Sequence, residues 1–179
     1  HISCDTHQAH VVWGCRTYDL YDPLRLPMLL MNNILGGPCL NSLLNVALRE
    51  QRGYVYTVES AVTNYTDTGI FSVYFGTDVR YVDKCMQRVR KVLDRLRNGY
   101  LPPARLAAAK KQYLGQLMVA EDNNEGLALA VGKGFLRHGA ILSPEEQTQR
   151  IEAITRDEMQ QVADEMLNPD KWSILTFEP

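Results

Sequence analysis

The sequence predicts an α+β domain, with helices packed on an antiparallel sheet. Three observations carry that expectation. Residues 54–62 and 70–75 are rich in Tyr, Val, Thr and Phe and flank the polar loop 64–69, the pattern of an antiparallel hairpin. From residue 81 the period changes. Val82, Cys85, Met86, Val89, Val92, Leu93 and Leu96 follow three/four spacing with Lys, Arg and Asp between them, which describes an amphipathic helix. The remaining strand-like runs, residues 6–18 and 172–177, lie near the two ends and are expected to share one sheet.

Taken in order, Ala9, Val11, Trp13 and Cys15 share one face of the first strand, and His10, Val12, Gly14 and Arg16 the other. Asp22-Pro23 has the form of an N-cap and first helical residue, with the helix running to about Ile34. Pro27 would kink its first turns, and Gly36-Gly37-Pro38 ends it. Asn41 is placed to cap a shorter helix through Glu50, which Gly53 stops. After the hairpin and the amphipathic helix, Asn98-Gly99 forms a break. Pro102-Pro103 opens a helix to about Glu121. Residues 125–137 form another helical stretch, rich in Ala and Gly, which permits close packing against a neighbour. Ser143-Pro144-Glu145-Glu146 and Thr155-Arg156-Asp157-Glu158 both read as capping boxes, each starting a short helix. Asn168-Pro169 breaks the last one before the final strand. No linker, low-complexity segment or internal repeat interrupts residues 1–179, so one domain is expected.

Composition excludes several classes. Apolar residues make up 45% and charged residues 22%, ordinary for a globular chain with a real core. A net charge of −2 argues against nucleic acid as a partner. The longest apolar run, residues 24–35, is broken by Arg25, Pro27, Asn32 and Asn33, so no membrane-spanning segment is expected. The chain opens on His1-Ile2-Ser3 without Met, so the absence of a targeting segment says little about a full-length protein. Cys4, Cys15, Cys39 and Cys85 are widely spaced and read as free thiols, which leans toward a reducing cytoplasm and otherwise leaves the compartment unknown.

Few residues carry a chemical signal. There is no H-x-x-E-H motif, and the only clustered metal-type ligands are Cys4, His7 and His10. On a strand, a spacing of three turns successive ligands to opposite faces, so no metal is assigned. His138 is isolated, Ser42 and Ser60 lie in no nucleophile-elbow context, and Gly36-Gly37-Pro38 lacks the lysine of a phosphate loop. Arg88, Arg90, Lys91, Arg95 and Arg97 read as a solvated stripe. What remains is Arg49 and Tyr56, seven residues apart across the Gly53 turn. An arginine and a phenol side by side can stabilise developing negative charge on a polarised carbonyl. Taken alone, their structural reading is the stronger: a cation at a helix C-terminus and a strand residue.

Their context changes the weighing. Asn33-Ile34-Leu35-Gly36-Gly37, Asn41-Ser42-Leu43-Leu44, Leu48-Arg49-Glu50-Gln51-Arg52-Gly53-Tyr54-Val55-Tyr56 and Tyr65-Thr66-Asp67-Thr68-Gly69-Ile70-Phe71 together resemble a known family. They look like the C-terminal domain of pitrilysin/insulinase-type zinc metallopeptidases, the inverzincins, which include mitochondrial processing peptidase. The specific match covers residues 33–80. The resemblance implies one half of a metallopeptidase clamshell. Zinc would be held by H-x-x-E-H plus a distal Glu in an N-terminal domain absent from this chain. Arg49 and Tyr56 match, in type and spacing, the pair that the opposing domain contributes near the scissile bond. The implied partners are a peptide substrate, the protein's own N-terminal peptidase domain, and a homodimer or paired subunit. Two departures stand out: Gly37-Pro38-Cys39 where the family often has Gly-Gly-Gly or Gly-Pro-Gly, and Leu43 where it commonly has arginine.

The leading expectation is therefore a substrate-handling domain of a zinc-dependent endopeptidase, inactive in isolation. The alternative is a domain of a non-catalytic subunit that binds substrate or completes a partner's chamber. A third reading, a purely structural element, requires Arg49 and Tyr56 to be buried in the domain's own core.

Overall fold

A computed structural model describes residues 2–3, 8–99, 101–121 and 124–178. The chain runs β1 (Ile2–Ser3), β2 (Ala9–Thr17), α1 (Arg25–Gly36), a π-helical turn (Asn45–Glu50), β3 (Val55–Asn64) and β4 (Gly69–Thr77). Then follow α2 (Val82–Arg97), α3 (Pro103–Glu121), α4 (Asn124–His138), α5 (Pro144–Ala153), α6 (Arg156–Met166) and β5 (Ser173–Glu178). The strands form one sheet in the order β1-β5-β2-β4-β3. Every pairing is antiparallel except β1 with β5. The two long terminal runs lie side by side, Trp13 opposite Ile174 and Val12 opposite Leu175.

Alternation explains why one sheet face is covered. Ala9, Val11, Trp13 and Cys15 of β2 and Phe71, Val73 and Phe75 of β4 are buried, while Arg16 and Ile70 point the other way and are exposed. Helices α1, α2 and α6 bring Met28, Leu30, Met31, Leu35, Val89, Leu93, Met159 and Val162 onto that apolar face. Trp172 closes the core edge-on against Trp13 (centroids 6.1 Å) and Phe71 (5.1 Å). Cys15 and Cys85 are buried free thiols within it, and Cys39 is free and half-buried; Cys4 lies outside the described residues.

Several starts and stops follow the sequence. Ser143 and Thr155 each form a complete capping box, with Glu146 and Glu158 returning the hydrogen bond. Gly37 ends α1 by donating its N–H to the Asn33 carbonyl. Gly36 lets α1 press against β3, because a Cβ there would stand 2.7 Å from the Ser60 nitrogen. The Ser60 hydroxyl donates to the Asn32 carbonyl across the same contact.

Other expectations give way. α1 begins at Arg25, not at Pro23. Asp22 accepts from the Leu24 N–H at 2.7 Å and so closes a tight turn before the helix instead of capping it. Pro27 is then the third helical residue, where a missing N–H leaves no intrahelical bond unmade. Asn41 caps nothing; its amide donates to Gln112 of α3 at 2.8 Å. The segment it was to cap is π-helical, with the Gln51 N–H reaching back to the Val46 carbonyl at 3.0 Å. Nearly all of α4 is exposed, so its Ala- and Gly-rich composition is not matched by burial. Arg90, read as part of a solvated stripe, lies over the Trp13 ring at 5.6 Å.

Candidate functional site

Arg49 and Tyr56 are held at the two ends of one tight turn. Leu44 and Leu48 are fully buried and anchor the π-helical turn from below, which leaves Arg49, the next residue, exposed. Gly53 then reverses the chain with a φ of +61°, a conformation glycine adopts without the Cβ clash. Its N–H donates to the Arg49 carbonyl at 2.7 Å, and the Tyr54 N–H donates to the Leu48 carbonyl at 3.0 Å. This is the bond pair of a glycine helix cap, widened where the helix carries an extra residue per turn.

Tyr56 follows on β3, and it sits on a bulge. Val55 pairs with Thr77 and Thr57 pairs with Gly76, so Tyr56 is the extra residue between them. A bulge re-aims the side chain it carries and is over-represented beside active sites. Tyr56 is 57% exposed, and Arg49 is exposed as well. The burial that a purely structural role requires of this pair is therefore not met. Both residues stand on local departures from regular backbone, one π-helical and one bulged.

The structure adds neighbours that the sequence reading missed. β4 ends beside the bulge at Thr77, and the next residue, Asp78, caps a short 3₁₀ turn by accepting the Arg80 N–H. The Arg80 guanidinium returns to the Asp78 carboxylate through Nε at 3.0 Å and Nη2 at 2.9 Å. That grip holds the Asp78 carboxyl down at about 2. Arg80 is within electrostatic reach of Tyr56, and its guanidinium stands 5.7 Å from the Tyr81 ring centre. Tyr54 stacks on Tyr81 at 4.9 Å, with the Lys84 ammonium 5.9 Å and 5.3 Å from the two rings. An Asp two residues before an Arg at a strand exit was the available signal for this group. The Arg49–Tyr56 turn is thus bordered by the Arg80–Asp78 pair, Lys84 and the Tyr54 and Tyr81 rings.

The remaining candidates separate from this group. The His10 ring stacks on Tyr74 at 6.1 Å and shares a 2.9 Å hydrogen bond through Nδ1 with its hydroxyl. Cys4, His7 and the His138 side chain lie outside the described residues. Ser42 and Ser60 are buried in packing. Leu43, in the position where arginine was noted as common, packs against the core. Among the described residues no group of three or more His, Cys, Asp or Glu is placed to hold a metal ion. Zinc therefore finds no set of ligands among the described residues. Nor is any helix of those residues long and apolar enough to cross a membrane.

Comparison with known proteins bears on this geometry. Residues 1–113 match a family model described as the peptidase M16 inactive domain. An uncharacterized zinc protease of Streptomyces coelicolor is 30% identical over 166 residues, which cover 93% of this chain and 36% of that protein. The mitochondrial-processing peptidase subunit beta of Saccharomyces cerevisiae is 27% identical over 118 residues, 65% of this chain and 26% of that protein. The crystal structure of a peptidase M16 inactive domain from Pseudomonas fluorescens superposes on all of this chain and 42% of that one, with a TM-score of 0.87 at 22% identity. At that identity the last likeness establishes the fold. The chain thus spans well under half the length of the curated relatives it matches.

Proposed function

Since the chain belongs to the peptidase M16 inactive-domain family, we propose that it is the C-terminal, substrate-handling domain of a zinc-dependent endopeptidase acting on peptides or unfolded segments. The zinc site lies in another domain of the full-length protein. Arg49 and Tyr56 reach from this domain to the peptide bound there. The guanidinium and the phenol hydroxyl both donate hydrogen bonds, so both favour a carbonyl oxygen on which negative charge is building over a neutral one. Neither residue supplies a nucleophile.

One observation carries the reading: Arg49 and Tyr56 are both exposed and both stand on irregular backbone at the ends of one glycine turn. A π-helical turn and a bulge each forgo regular hydrogen bonding, and such features recur where a side chain must be aimed. The test is peptide turnover by the full-length protein with Arg49→Ala or Tyr56→Phe. Each change is expected to lower kcat by about a hundredfold or more, with the circular dichroism spectrum unchanged. Unchanged turnover with an intact fold would sink the role. A full-length protein that lacks H-x-x-E-H and binds peptide without cleaving it would instead establish the non-catalytic subunit.

A further inference from the structure

A cavity of about 670 Å³ opens between the approach to α1 and helices α3 and α5. Ligand sites commonly occupy roughly 300–1,000 Å³. Leu20, Leu26, Leu29, Leu142 and Ile154 give it apolar walls, and Arg25, Tyr113, Gln147 and Arg150 add polar groups. It is remote from the Arg49–Tyr56 turn. Arg25 meets Asn64 at the far end of β3, roughly 26 Å along the strand from Tyr56 at ~3.3 Å per residue.

Arg25 is electrostatically incomplete. It is half-buried, and its Nε donates to a neutral acceptor, Asn64 Oδ1, at 3.3 Å. Among the described residues, ion pairs join Arg80 to Asp78 and Arg97 to Asp94, and Arg25 belongs to neither. Burial pulls its pKa down, Tyr113 works against that pull, and the positive charge of Arg137 adds to it. Tyr113, also half-buried, has its phenol pKa pushed up by burial and so stays a neutral donor. Asp22 and Glu158 line the same cavity, yet each is engaged locally. Asp22 accepts from the Leu24 N–H at 2.7 Å, and Glu158 from the Thr155 N–H and hydroxyl at 2.6 Å and 2.8 Å. A half-buried guanidinium that faces a cavity, with no carboxylate within ion-pair distance, suits an anionic ligand.

We propose that this cavity binds the C-terminal residue of a peptide, its carboxylate on the Arg25 guanidinium and the Tyr113 hydroxyl and its apolar side chain among Leu26, Leu29 and Leu142. With Nε on Asn64, the outer edge of the guanidinium remains for a two-point bond to one carboxylate. Gln147 offers an amide to the peptide backbone, a group for which an alkyl chain has no use. Free phosphate fits worse, because the leucines of the wall offer it nothing. This site does not depend on the role assigned to Arg49 and Tyr56.

Fluorescence anisotropy of a labelled hexapeptide ending in Leu, as the free acid and as the amide, tests the assignment. The acid is expected to bind at least about tenfold tighter, the worth of charge-assisted hydrogen bonds. Arg25→Gln should erase that difference, and Tyr113→Phe should reduce it. Equal binding of acid and amide, or full discrimination by a folded Arg25→Gln protein, overturns the proposal. If Arg25→Gln fails to give a cooperative thermal melt, Tyr113→Phe decides alone, and unreduced discrimination overturns it. Displacement by hexanoate or inorganic phosphate as effectively as by the free peptide would show a general anion site and overturn the peptide assignment.

Discussion

At Gly53 the backbone takes a φ of +61°, with nothing within 4 Å of where a Cβ would stand. The cost of a side chain there is purely conformational, about 1–2 kcal/mol. Gly53→Ala should lower stability by about that amount in urea unfolding, and it should also lower turnover, because the turn sets where Arg49 and Tyr56 point. Loss of stability without loss of turnover would separate the turn from the site. The thiols can be tested at the same scale. Burial pushes Cys15 up to about 11, partly offset by the Lys171 charge, and raises Cys85 as well. Both stay protonated at pH 8, so iodoacetamide followed by mass spectrometry should leave them unlabelled in the native protein and label them after unfolding. The linkage sign follows from the raised value. The Cys15 contribution to stability is complete below the ordinary thiol value of 9.0 and fades as pH rises toward about 11.

Among the elements, legibility in sequence tracked how local the cause is. The Ser143 and Thr155 capping boxes could be read because both halves of each box lie within four residues. Ser143→Ala should cost about 1 kcal/mol in thermal unfolding. The start of α1 was misread by two residues because Asp22 serves equally well in a tight turn, and tertiary context chose that use. The Tyr56 bulge could not be read at all, since it exists only relative to Thr77 and Gly76 on the neighbouring strand. The π-helical turn likewise depends on Leu44 and Leu48 finding the core. Arg49 and Tyr56 were therefore legible as residue types at a spacing, while the backbone irregularities they stand on were not. Helix α4 has a contrasting character: its composition suits packing, yet Leu129, Phe135 and Leu136 are exposed. Few buried contacts hold it, so its amides should exchange with deuterium well before those of α2.

For the whole molecule, one sheet covered by helices on one face gives a single core, and Trp13 is one of its largest buried members. Trp13 is 1% exposed, donates its indole N–H toward the Met86 sulfur at 3.1 Å and contacts Trp172. Trp13→Ala should cost about 3–5 kcal/mol in urea unfolding, enough to unfold a marginal domain. This architecture was readable from hydrophobic periods because sheet alternation and helical spacing are both set along the chain. The Arg25 cavity was not, because it joins residues from the start of α1, the middle of α3 and α5. The most direct measurement of the central claim is a double-mutant cycle on kcat/KM in the full-length protein, using Arg49→Ala, Tyr56→Phe and the combination. If the two residues act together on one developing charge, each single change lowers kcat/KM by about a hundredfold or more, and the double variant falls short of the product of the two losses. Turnover that none of the three changes alters, in folded protein, would contradict the account.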